Sequence, residues 1–449
     1  MIDDTALARA TATAILGIDT VWGGDVMNPS GTARFIADSW FSREPLPEAY
    51  THPAAQPLRA SGGAGAKEPN ARAVEAYLRA VDVAGAIRQV GAAAQEVGGL
   101  RGGYLGGIAL SLQIMLELAL ERLGLGPAVP YDRCVEASSG RPPSPSRPEE
   151  KRAQVAELLS RAGHGTTSPE ALLAAVDAWR RERLVPRRAL RLIADALVAQ
   201  LDAAAARHVV PHLPAPVRDV PRANIEFIAI PDAWFSGSMN YLGRARAPDG
   251  RPRYEATYEI NASLEISVPE LVQIVSHEVV PGHVTTFALL QALHEAGQVG
   301  FEATVLTMCT RGSALFEGIA NNAILMAYGV TRVEDLPDPD LQVGALLALL
   351  QDDAKNQASW LRWREGAPQA EVARVLRREY LCSEERADKL SGAWGGHPLL
   401  GRMYLPCYRA GTEKVAELLR RHPPRDVFPA LFGARGLVDV VTVDLALPA

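Results

Sequence analysis

Hydrophobic residues recur with a period near 3.6 over most of this chain, and that repeat constrains the fold more than any other feature. Residues 70–97, 103–123, 149–162, 169–183 and 186–208 all carry it, so they are expected to be helices with one apolar face. Ser168-Pro169-Glu170 is a good helix start: a capping hydroxyl, a proline in the first turn, then an acid at the positive end of the dipole. The pattern changes near Pro221. Residues 224–230 (NIEFIAI) alternate with period two, as a strand does. Residues 238–246 and 253–261 flank Ala247-Pro248-Asp249-Gly250, a turn in which proline presets one dihedral and glycine accepts positive φ. Residues 224–261 are therefore expected to form a small antiparallel sheet with one hairpin. Helices resume at Ser267 and dominate to about Leu419, so the expected fold is mainly α.

Two stretches cannot be regular structure. ASSGRPPSPSRPEE (137–150) is rich in Pro and Ser, and residues 51–70 are rich in Gly, Ala and Pro; both are expected to be loops. The chain divides accordingly into a helical region 1–136, a loop or linker 137–150, a second helical region 151–220, a region 221–430 of hairpin and helices, and a tail 431–449. With 449 residues, 48% hydrophobic, the chain can bury a large core, and disorder is excluded as its main state. A net charge of −6 gives no electrostatic footprint for a nucleic-acid partner. The amino terminus opens acidic and lacks the basic region of a secretory signal. The longest apolar candidate for a span, 108–120, is broken by Ser111, Gln113 and Glu117, so a buried helix is expected there and no membrane partner. The four cysteines (Cys134, Cys309, Cys382, Cys407) show no CxxC pairing and are expected to be reduced, in a cytoplasmic protein.

The chemistry lies after Ser267-Val268-Pro269-Glu270, a capping box that starts a helix. His277 and Glu278 continue that helix's apolar stripe, one turn beyond Ile274, where charge is costly unless paired or near a metal. With His283 they make HExxPGH. In the ordinary zinc-peptidase motif HExxH the histidines stand four apart on one helical face. Six residues turn an ideal helix through about 600°, which leaves the two rings about 120° apart. Both can face one metal only if the helix is deformed between them. Pro281 lacks an N–H for the carbonyl of residue 277 and clashes with it, and Gly282 tolerates unusual dihedrals. The pair can swing His283 back towards His277.

Two histidines leave a zinc site one protein ligand short. Glu317 is the expected third, a lone carboxylate on a helical face of small and apolar groups in RGSALFEGIANNAILM; Asp352, Asp353 and His397 are the other candidates. Glu278, next to a ligand but not one itself, is placed to take a proton from water. His294-Glu295 has no second histidine at useful spacing and is expected to be an exposed helix end. Hydrolysis also needs a donor for a negative oxygen. GGHPLLGRMYLPCYRAG offers His397, Tyr404, Tyr408 and Arg409, of which Tyr408 or His397 is favoured.

HEVVPGH, then an FEG helix, then YRAG resembles the bacterial HExxPGH proteins of the domain-of-unknown-function 885 family. Its members are mostly helical, distant relatives of zinc peptidases with thermolysin-type or carboxypeptidase-Taq-type sites. The family typically reads HEAYPGHH, then EGWA, then a late YxxG. His277, Glu278, Pro281, Gly282 and His283 match the first, Glu317, Gly318 and Ala320 the second, and Tyr408 and Gly411 the third. The YEIN segment, Tyr258 to Asn261, resembles the family's tyrosine-asparagine strand before the metal helix. Val284, Ile319 and Ile324 depart from the pattern: they replace a following histidine, the tryptophan of EGWA and an acid. Over roughly 225–415 the resemblance implies a helical zincin-like metallopeptidase architecture, with a small antiparallel sheet beside the metal helix.

The expected function is zinc-dependent hydrolysis of a peptide or small amide, with zinc on His277, His283 and Glu317 and Glu278 as general base. Other divalent transition metals fit the same ligands. The alternatives are a metal-dependent enzyme acting on a non-peptide small molecule, or a non-catalytic protein with a structural metal.

Overall fold

The computed structural model describes residues 3–28, 36–230, 237–261 and 265–448; positions 1–2, 29–35, 231–236, 262–264 and 449 lie outside these. The chain is mainly helical, with a three-stranded and a two-stranded sheet among the described residues. Helices form at Glu149–Arg161, Pro169–Glu182 and Leu190–His208. Ser168 caps the second by accepting from the Ala171 N–H at 3.1 Å. Two expectations need correction. Residues 70–97 are not one helix: the chain breaks between Ala71–Ala80 and Val83–Val97, where Asp82 caps the second segment through the Gly85 N–H. Residues 51–70 are not simply loop, since Ala55–Ser61 is a short helix closed by Gly62 at φ +83°.

Helix Gly99–Arg122 is long and apolar enough to cross a membrane by length and composition, but 67% of its apolar window is buried inside the fold. It packs with Val83–Val97 and Asp4–Val21. The largest buried apolar cluster runs from Leu7 to Ala446, so the amino-terminal helices and the 221–430 region share one core. The expected tail is packed too: Val438, Val440, Val443 and Ala446 are buried in that cluster. The Pro/Ser-rich stretch has no regular structure from Gly140 to Pro148, and Ser146 ties it to helix Pro339–Ser359 by donating to the Asp353 carbonyl at 2.9 Å.

Asp19 supports the two-stranded sheet, Ala37–Asp38 against Leu306–Thr307. Its Oδ1 accepts the N–H groups of Ile36 and Ala37, both at 3.0 Å. Burial pushes its carboxyl from 3.8 up to about 7, against those two bonds, which pull it down. The folded chain thus holds this proton more tightly than the unfolded chain. The stabilising contribution is complete below the unfolded value and is lost as pH rises to about 7. Asp19→Asn is expected to remove that slope, so the variant gains on the parent by on the order of 4 kcal/mol between about pH 4 and pH 8. Urea unfolding at several pH values reads this difference, and parallel curves would contradict it.

The three-stranded sheet corrects a further expectation. The strands are Asn224–Ile230, Gly237–Tyr241 and Glu255–Asn261, with the last in the centre. The hairpin pair is antiparallel, with Met239 opposite Tyr258, and Gly250 closes the turn at φ +84°. Asn224–Ile230, however, lies parallel to Glu255–Asn261, with Phe227 opposite Tyr258. The sheet is therefore mixed. Local alternation identifies strands but does not choose their neighbours. Here the first strand skips the second to lie beside the more buried third.

Five helices surround the region of interest. Val268–Glu278, His283–Glu295 and Arg311–Asn321 carry the motif residues, and Pro339–Ser359 and Leu405–Arg421 pack against this group.

Candidate metal centre

Ser267 starts the first of these helices: its Oγ accepts the Glu270 N–H at 3.4 Å and donates to the Glu270 carboxylate at 2.7 Å. The helix ends at Glu278, and a new one, His283–Glu295, begins five residues on. The Pro-Gly pair thus breaks the helix rather than bending it. Gly282 is required for space: a Cβ there would fall 1.8 Å from the His277 carbonyl oxygen. This close approach folds the chain back, and the rings of His277 and His283 meet with centroids 4.7 Å apart at 86°.

Glu317 completes the group. Its Oε2 stands 3.5 Å from His277 Nε2 and 3.8 Å from His283 Nε2. Two ligand atoms on a tetrahedral zinc, each about 2.05 Å from it, lie about 3.3 Å apart. Movements of a few tenths of an ångström bring each nitrogen to that distance from Oε2. The donor chemistry fits as well. His277 Nδ1 is 2.8 Å from Asn321 Oδ1, while the Asn321 amide donates to Asp352 Oδ2 at 2.7 Å and Thr412 Oγ1 at 2.9 Å. With its amide nitrogen so engaged, Asn321 presents oxygen to the ring, so Nδ1 carries the proton and Nε2 keeps its lone pair. Burial, then the neighbouring His283, holds the His277 ring well below its ordinary pKa, in the neutral form a metal needs. Glu317 Oε2 is buried with no hydrogen-bond partner, and burial pushes this carboxyl up to about 7. A buried carboxylate oxygen facing two imidazole nitrogens is a donor set whose chemistry suits a divalent cation. His277, His283 and Glu317 are the three-residue metal-type cluster among the described residues.

The other oxygen of Glu317 is held. Tyr404 donates to Oε1 at 2.8 Å, and Tyr408 donates to the Tyr404 hydroxyl at 2.7 Å. A glycine crossing positions both rings. A Cβ on Gly411 would fall 1.6 Å from the Ala314 carbonyl oxygen, and one on Gly318 would fall 2.3 Å from the Gly411 oxygen. These two glycines let the backbones of Arg311–Asn321 and Leu405–Arg421 touch. Gly411→Ala is accordingly expected to cost about 3 kcal/mol by overpacking and to move the tyrosines off Glu317. Denaturant unfolding checks it, and a loss below about 0.5 kcal/mol would contradict the crossing.

Glu278 lines a cavity of about 240 Å³ together with His277, Asn321, Asp352, Lys355 and Tyr408. His397, expected as donor or third ligand, does not join this group. Its ring lies against Trp22, 5.8 Å between centroids, and its Nδ1 accepts the N–H groups of Leu399 and Leu400 at 3.2 and 3.3 Å. It caps its own turn, and burial pushes its pKa down to about 4. Arg409 points elsewhere, donating to Ser144, Pro145 and Ser146. Asp352 supports His277 through Asn321 and is not part of the triad cluster, and Asp353 pairs with Lys151 at 2.8 Å. His294-Glu295 does end a helix: Glu295 is exposed and pairs with Arg43 and Arg246, and His294 is half-buried. The supports Asn321 and Thr412 escaped the sequence reading. Asn321 was within reach of it, one turn after Glu317 on the same face.

No family model matches the chain, and no curated protein matches it. Among solved structures, the chain is similar to one titled a putative lipoprotein from Colwellia psychrerythraea, at 15% identity and a TM-score of 0.54. The match covers 77% of this chain and 61% of that one, so this chain spans less than two thirds of its length. A putative lipoprotein of unknown function from Shewanella oneidensis matches at 12% identity and a TM-score of 0.47, over 90% of this chain and 77% of that one. At this identity the Colwellia likeness speaks for the fold alone.

Proposed function

We propose that the chain is a divalent-metal-dependent hydrolase, with zinc the preferred ion, that cleaves a peptide or related amide bond. One observation carries the reading: the unpartnered, buried Glu317 Oε2 faces two imidazole nitrogens beside a cavity that Glu278 lines. Three protein ligands next to a cavity suit a catalytic metal better than a structural one, which four protein ligands usually close. The resemblance to the domain-of-unknown-function 885 family supports the same reading.

When bound, the metal supplies Lewis acidity to a carbonyl and acidity to water. With His277, His283 and Glu317 holding such a metal, Glu278 on the cavity wall would take a proton from the attacking water. The water oxygen bonds the carbonyl carbon, the C–N bond breaks, and Glu278 passes the proton to the leaving amine. Tyr408 is the hydroxyl on the cavity wall placed to donate to the negative oxygen, and in doing so it releases Tyr404. Gly237, at the start of an edge strand, lines the same cavity, so an extended substrate meets a strand edge there.

The test is a panel of peptides, simple amides and esters with and without a chelator. Peptide cleavage that the chelator abolishes and zinc restores is expected. Turnover confined to non-peptide substrates would move the reading to a small-molecule enzyme. The sequence leads to a cytoplasmic location, whereas the Colwellia protein, similar in fold, is titled a putative lipoprotein. Cell fractionation separates the two.

A further inference from the structure

We propose that Lys355 anchors the carboxylate at the end of the substrate, so that the site removes a residue from the free C-terminus of a short peptide; this rests on the hydrolase reading above. Lys355 stands on helix Pro339–Ser359, largely buried, and lines the cavity beside His277 and Glu278. An ammonium has three donors. Asp352 Oδ1 takes one at 3.1 Å, and the face of the Tyr408 ring, 3.2 Å to its centroid, takes a second. No other partner is present among the described residues, so one donor is left for a ligand in the cavity. Asp352 is the ion-pair partner of the ammonium, and its Oδ2 also accepts from Asn321 and Thr412, so what Lys355 offers the cavity is its remaining N–H donor.

The placement separates an anchor from a donor at the metal. Lys355 makes no ion pair with Glu317. Side-chain contacts link it through Tyr408 and Tyr404 to Glu317, and through Asp352 and Asn321 to His277. On both routes the ammonium is two side chains from a ligand. The Lys355 charge also acts on Glu317 and on His277, so a carboxylate held by the ammonium lies beside the cluster. The cations on the wall are paired, Arg180 with Glu270 at 2.9 Å, Lys389 with Glu385 at 2.7 Å and Lys355 with Asp352 at 3.1 Å, and of these Lys355 lies beside His277 and Glu278.

The experiment compares benzoyl-glycyl-leucine with its C-terminal amide on the purified chain. The acid is expected to show a kcat/KM about 30-fold above the amide, the value of one charge-assisted hydrogen bond, mostly through KM. In Lys355→Met that ratio should fall to about one, and Lys355→Arg should restore part of it. A parent protein that cleaves acid and amide alike overturns the anchor. So does a Lys355→Met variant whose kcat drops equally on both. Calorimetry with N-acetyl-leucine and its amide tests the anchor apart from turnover. Acid-selective binding without hydrolysis of any peptide keeps the anchor and removes the hydrolase reading, whereas equal binding removes the anchor whatever the turnover.

Discussion

Glu278→Gln is expected to lower kcat for peptide hydrolysis by about 10³-fold while bound metal stays at the parent level. The two halves of this result come from different parts of the site. Glu278 follows His277 but is not among the three clustered ligand residues, so the variant keeps the donor set of His277, His283 and Glu317. Glutamine keeps the shape of the side chain and loses its basicity, and a positioned base contributes about 10² to 10⁴ in rate. Burial first, then the charges of Glu317 and Asp352 and least that of Glu278, push the Tyr408 hydroxyl up, against the Tyr404 hydrogen bond. Steady-state kinetics and elemental analysis on one preparation read both quantities. Unchanged turnover removes Glu278 from the mechanism, and lost metal makes it a ligand instead.

Glu317→Ala has the larger effect on the metal itself. Changing a residue that merely supports a ligand costs about 10-fold to 100-fold in affinity, so removing a ligand from a site of three should exceed about 100-fold. The variant also takes away the acceptor of Tyr404, whose hydroxyl reaches Glu317 and Tyr408 among the described residues. Tyr404→Phe separates the two losses, since it keeps the carboxylate and is expected to weaken metal binding by no more than about 10-fold. Full metal occupancy in Glu317→Ala, measured by competition with a chelator of known affinity, would exclude it as an essential ligand.

The parts of this site that were legible in the sequence are those written locally. Ser267 and Glu270 announced the helix start, Pro281-Gly282 its interruption, and Glu317 stood out as a charge on an apolar face. The spacing of His277 and His283 made a break necessary, but not its cause. Gly282 is there because His277 O leaves no room for a Cβ, a contact that exists only once the chain has turned. Gly318 and Gly411 are similar: each is visible as a motif letter, and only the crossing of two helices far apart in sequence gives either a reason. Strand direction was misjudged because alternation says which residues face the core and nothing about which strand lies alongside. His397 was misjudged for the opposite reason, since its own backbone had already used the ring.

Diffraction recorded on either side of the zinc absorption edge, from crystals grown with zinc, tests the central claim most directly. The account predicts one anomalous peak within coordination distance of His277 Nε2, His283 Nε2 and Glu317 Oε2. A folded chain with these three side chains as described and no peak between them, or with its peak elsewhere, would contradict it.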